Sequence, residues 1–184
     1  MLGLVYVELL AELERTASLD AVDRVLARAG LRGAYTAHGT YPDADAHALI
    51  DAVAAERGEA PEAVQRSCGR RLFARFAGHH PEWVEPHADP IALLERLEDH
   101  VHASVRMVYA DSDPPRFDGV RLDGGGFRLT YRSHRGLAAL AEGLLRGAFD
   151  HYDLDVRIDV QLEAPGDGTH ARFDVWPVGA AGAA

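Results

Sequence analysis

Near residue 111 the apolar side chains of this chain change their spacing from about 3.6 residues to 2, so the two sides of that point must fold differently. Upstream, helical spacing runs over 4–15, 18–28, 46–57, 60–76 and 90–109. Ser18 and Asp89 stand at N-cap positions, and Pro61 and Pro90 fall where a first helical turn tolerates proline. Loops rich in glycine, proline and polar residues over 30–45 and 78–87 separate these helices. After the linker Asp111-Ser112-Asp113-Pro114-Pro115, segments 117–122 and 127–134 alternate and are joined by Asp123-Gly124-Gly125-Gly126, a hairpin signal. An alanine- and leucine-rich helix follows over 136–149, then a strand over 154–163. Pro165-Gly166-Asp167-Gly168 turns the chain into a last strand over 171–178, and the tail 179–184 is expected to fray. The order predicts an α+β fold as one domain over 1–184. A helical half (about 1–110) packs on a sheet-rich half (about 111–178), whose antiparallel sheet has one crossing helix.

Composition removes several function classes. A chain of 184 residues with 47% hydrophobic and 26% charged residues can bury a core without covalent staples. The single cysteine, Cys68, excludes an intramolecular disulfide and any zinc site built on several cysteines. It lies inside a helical segment beside Gly69-Arg70-Arg71 and reads as a structural thiol. A net charge of −10 weighs against nucleic acid or anionic lipid as the main partner. No stretch approaches the ~20 apolar residues of a membrane span, and the first residues lack the basic start of a signal peptide. A cytoplasmic protein is expected. No nucleophile elbow, P-loop or dinucleotide glycine pattern occurs, and no residue set reads as catalytic, so the chain is not expected to be an enzyme.

Two groups of residues carry chemistry. His102 lies beside the apolar stripe Leu93, Leu97, Val101, Val108, with Ile91, Leu94, Val105 and Tyr109 near it. A neutral imidazole there could meet a ligand or metal, although a histidine at a stripe's edge is usually a partly buried residue with one hydrogen bond. His100 cannot join it on one ion, because two helical positions differ by about 200°. His79, His80 and His87 share a loop but lack metal-ligand spacing, which favours solvated side chains. The second group is Tyr131, Ser133 and Arg135. Strand alternation places them on one face after Phe127 and Leu129, so an apolar floor ends in three hydrogen-bond donors. Arginine's planar fork matches a carboxylate or phosphate, so the face suits an apolar ligand with an anionic end. An edge-strand polar cluster fits the same pattern.

His102, then Pro115 thirteen residues later, then Tyr131-Arg132-Ser133-His134-Arg135, together resemble the haem-nitric-oxide/oxygen-binding (H-NOX) family, which includes the haem sensor of soluble guanylate cyclase. The opening Met1-Leu2-Gly3 before an apolar helix is similar too, and the resemblance covers essentially the whole chain. It implies the H-NOX fold with haem between the halves. His102 would be the axial ligand of a haem b iron, Tyr131, Ser133 and Arg135 would hold the propionates, and Pro115 would pack on the ring.

Alignment to that family puts Leu9 and Leu140 in the distal pocket with Val5 and Leu144 nearby, and adds Leu72 and Phe76 through Gly69 and Pro81. Oxygen-binding relatives carry a tyrosine where this chain has Leu140. The resemblance therefore implies a sensor of nitric oxide and carbon monoxide that excludes oxygen. Its signal would pass through loss of the iron–His102 bond to a separate partner: a histidine kinase, a cyclic-di-GMP enzyme or a chemotaxis protein. Two alternatives stay open. One is a haem-free module that takes another hydrophobic anion or acts in protein interaction. The other is a haem peroxidase, which would need a polar distal side.

Overall fold

The computed structural model describes residues 1–109, 113–164 and 166–178; the expectations for Asp111, Ser112, Pro165 and the tail 179–184 lie outside them. Helix α1 spans Gly3–Thr16, α2 Leu19–Ala29, α3 Asp43–Arg57 and α4 Pro61–His79. Ser18 sets the start of α2, its hydroxyl accepting from the Ala21 N–H at 3.2 Å. Their apolar faces meet in one core around Leu13, Val25, Leu49 and Val64.

Two carboxylates, Glu8 and Glu12, are each only 5% exposed between α1 and α4. Glu12 accepts from Ser67 at 2.6 Å and faces Arg57 at 3.4 Å; Glu8 faces Arg71 at 3.4 Å and Arg75 at 3.3 Å. Buried charge persists only with such partners, so the network fixes α1 on α4.

The second half holds β1 (Arg116–Arg121), β2 (Phe127–Arg132), β3 (Asp155–Leu162) and β4 (His170–Val178), antiparallel in the order β1-β2-β4-β3. Helix α7 (Ala138–His151) packs Ala141, Leu145 and Phe149 on the sheet's inner face, against Leu129, Tyr131, Phe173 and Val175. It also joins the halves by crossing α4 at backbone contact. A Cβ on Gly69 would stand 2.2 Å from the Leu140 carbonyl oxygen, and one on Gly143 would stand 2.2 Å from that of Arg66. The α+β expectation is met. No helix among the described residues is long and apolar enough to cross a membrane.

Two expectations are corrected. The helix expected over 90–109 is broken into α5 (Pro90–Glu95), a π-helical turn (Leu97–His102) and α6 (Ala103–Val108). Asp89 caps α5 as expected, accepting from the Ala92 N–H at 2.8 Å. The Arg96 carbonyl then accepts from both His100 N–H (2.9 Å) and Val101 N–H (3.3 Å), the latter five residues on. A wide turn of this kind holds an extra residue and rotates the helix beyond it by roughly 100°. Val108, expected on the buried stripe, is accordingly 48% exposed. The strand expected over 127–134 ends at Arg132, because the chain turns at 134–135 and Gly136 adopts φ 63°.

Candidate functional site

A cavity of about 230 Å³ with a predominantly apolar wall lies where the helical half meets the sheet. Val5 of α1, Leu72 and Phe76 of α4, and Leu140 and Leu144 of α7 line it, as do His102, Pro115, Tyr131, Ser133 and Arg135. Of the residues expected at this site, only Leu9 is absent from the wall. It is 2% exposed in the helical core, because the cavity reaches α1 at its first turns, beside Met1, Leu2 and Val5.

His102 ends the π turn and is 9% exposed. Its Nδ1 stands 2.9 Å from Glu98 Oε1, which also accepts the Phe117 backbone N–H at 2.9 Å. Partial burial works to raise the Glu98 carboxyl, but His102, the Phe117 N–H and nearby Arg106 outweigh it and hold it below the ordinary range. Glu98 is therefore a carboxylate, which only accepts, and Nδ1 must carry the proton. No hydrogen bond engages Nε2 among the described residues.

Tyr131, Ser133 and Arg135 do converge on the cavity, but strand alternation accounts for Tyr131 alone. Tyr131 is 2% exposed on the inner face of β2, and burial pushes its phenol up, so it keeps its proton. Ser133 and Arg135 arrive from the turn beyond the strand. Ser133 N–H donates to the Thr169 carbonyl at 2.8 Å, and Ser133 Oγ accepts from Arg135 N–H at 3.3 Å.

Helix α3 supplies the anchors of that turn. Arg135 Nε donates to Asp43 Oδ1 at 3.1 Å, His134 Nε2 lies 3.1 Å from Asp43 Oδ2, and His47 Nε2 lies 2.8 Å from the Arg135 carbonyl oxygen. The guanidinium also donates to the Asp113 carbonyl. Partial burial would raise the Asp43 carboxyl, yet the Met1 ammonium at 2.7 Å and Arg135 hold it down at about 2.

Glu98, Asp43 and His47 are the site residues that sequence reasoning missed. The i,i+4 spacing of Glu98 and His102 was the available signal for the first. Nothing local marked Asp43 or His47, whose partners lie 92 and 88 residues away. The remaining histidines do not gather. His79 bonds the Arg75 carbonyl, His80 stacks on Trp83 at 3.9 Å, and His87 pairs with His100 at 3.0 Å. No group of three or more metal-ligating side chains occurs among the described residues.

The arrangement suits an apolar molecule that carries anionic groups toward Arg135 and a metal within reach of the His102 imidazole. The chain matches the family model described as Haem-NO-binding over residues 2–160. It is similar to the H-NOX of Shewanella woodyi solved in the Fe(II)CO ligation state with IWP-051 bound, at 27% identity over 95% of this chain and 93% of that one, TM-score 0.80. Its fold also matches the unliganded Fe(II) H-NOX protein of K. algicida (24% identity, 96% of each chain, TM-score 0.89). A third match is an S. oneidensis H-NOX in the Fe(II)NO state (22% identity, 96% of this chain and 99% of that one, TM-score 0.88). No curated protein matches the chain.

Proposed function

The chain belongs to the Haem-NO-binding, or H-NOX, family, and from that premise we propose that it is a haem-based sensor of nitric oxide and carbon monoxide that excludes oxygen and signals to a separate protein. The observation that carries this reading is His102, an imidazole with Nδ1 engaged and Nε2 uncommitted in the wall of an apolar cavity. The donor set fits haem b. His102 would hold the iron through Nε2, Tyr131, Ser133 and Arg135 would hold the propionates, and Pro115 would pack on the ring. When bound, haem would supply a ferrous iron able to take a diatomic gas.

The chain's own residues would set which gas stays and what moves. Leu72, Phe76, Leu140, Leu144 and Val5 carry no hydrogen-bond donor in their side chains. A donor to a charged acceptor is worth ~1.5–3 kcal/mol, so its lack costs oxygen roughly tenfold to hundredfold in affinity. Nitric oxide and carbon monoxide depend on such a donor far less. His102, once free of iron, would release the π turn at Leu97–His102 and let α6 move relative to β1, a population shift between two arrangements. Sensing rather than catalysis is the role this supports. A histidine kinase, a cyclic-di-GMP enzyme or a chemotaxis protein would receive the signal.

His102→Ala with imidazole supplied in solution separates binding from signalling. The variant is expected to keep haem and take nitric oxide while losing the gas-induced change in amide exchange over 97–109. Identical exchange in the wild type with and without nitric oxide would contradict the mechanism.

A further inference from the structure

Glu98 Oε1 receives two N–H groups from opposite halves of the molecule: Nδ1–H of His102 and the backbone N–H of Phe117 on β1, each at 2.9 Å. An exposed i,i+4 pair on a helix contributes little and leaves its side chains free to swing. This pair differs in two ways. The His102 side chain is only 11% exposed, and the Phe117 N–H belongs to a strand backbone that cannot swing, so the carboxylate is pinned in one orientation. Arg106 steadies it from two turns on, 3.9 Å from Oε2 and 3.4 Å from the Glu98 carbonyl oxygen.

We infer that Glu98 is the positioning residue for His102: it holds the imidazole with Nε2 uncommitted and, by its negative charge against Nδ1–H, sets how firmly Nε2 grips a metal. The inference rests on the haem reading above. A metal-bound histidine can give its second N–H to water, to a neutral backbone carbonyl or to a carboxylate, and the carboxylate makes the ring the strongest donor of electrons. Sharing Oε1 with Phe117 N–H tempers that effect, since part of the oxygen's capacity is already spent. Glu98 would thereby tune how readily the imidazole lets go, and with it the gas level at which α6 moves.

The test compares wild type, Glu98→Gln and Glu98→Leu, each loaded with haem. Glutamine keeps an acceptor oxygen for both N–H groups and removes only the charge; leucine removes both. The iron–histidine stretching frequency of the reduced protein is expected to fall from wild type to glutamine to leucine. In the carbon-monoxide-bound protein, the His102 Nδ1 proton is expected to exchange with solvent faster in Glu98→Leu. Haem content and thermal unfolding of Glu98→Gln should match wild type, which a merely structural role for the charge would not separate from the frequency shift. A normal haem spectrum with an unchanged frequency in Glu98→Gln overturns this inference alone. A wild-type protein that takes up no haem overturns the haem reading with it.

Discussion

Arg135 and Asp43 stand 92 residues apart in sequence and 3.1 Å apart in space, across the boundary between sheet and helices. The arginine that would receive a ligand's carboxylate is thus also a bolt between the halves. Asp43 occupies the first turn of α3, where a negative charge is favoured by the helix dipole. On the proposed reading, a propionate arriving at Arg135 would meet a guanidinium already oriented by α3, so the ligand's presence and the packing of the halves would be linked.

The Asp43 carboxyl sits at about 2 in the folded protein against an ordinary value of 3.8. A depressed carboxyl contributes stability above its unfolded value, and that contribution is lost as pH falls from about 4 to 2. Asp43→Asn is expected to cost up to about 2 kcal/mol at pH 7 and to flatten this part of the acid limb. Urea unfolding at pH 7 and at stepwise lower pH measures both; equal stability of variant and wild type at pH 7 would contradict the linkage.

Leu140 lines the cavity and is 8% exposed. Leu140→Tyr puts a phenol in that wall and is expected to raise oxygen affinity by roughly tenfold to hundredfold. Carbon monoxide affinity should change far less. Gas titrations of the reduced variant decide the matter, and equal gains for both gases would show that the hydroxyl acts by shape alone.

The crossing of α4 and α7 is expected to resist any added side chain. Gly143→Ala drives a Cβ to 2.2 Å from the Arg66 carbonyl oxygen, which belongs to backbone and cannot rotate away. Overpacking of this kind costs about 1–3 kcal/mol, or roughly 2–12 °C in Tm for a chain of this size. A thermal melt at wild-type Tm would mean that the helices can separate freely.

What was legible in the sequence was local. The caps at Ser18 and Asp89, and the glycine hairpin between β1 and β2, are set by residues within a few positions of one another. The π turn was not legible, because an even apolar spacing over 90–109 describes a straight helix as well as a broken one. Val108 was misplaced for that reason. Tyr131 could be placed by alternation, whereas Ser133 and Arg135 reach the cavity through a turn and the distant anchors Asp43 and His47. Val5, Leu72, Phe76, Leu140 and Leu144 line the cavity, whereas Leu9 lies one helical turn beyond Val5 in the helical core, a difference set by packing that no local signal carries.

Iron held by His102 is the hinge of the proposed function. The absorption spectrum of the reduced protein and of His102→Ala, recorded under argon, in air, and after nitric oxide, tests it without intermediaries. The wild type should show a haem Soret band that air leaves in place and nitric oxide shifts, while His102→Ala should show the argon spectrum only when imidazole is added. A wild-type protein that stays colourless after hemin is supplied, or a His102→Ala spectrum identical to wild type without imidazole, would contradict it.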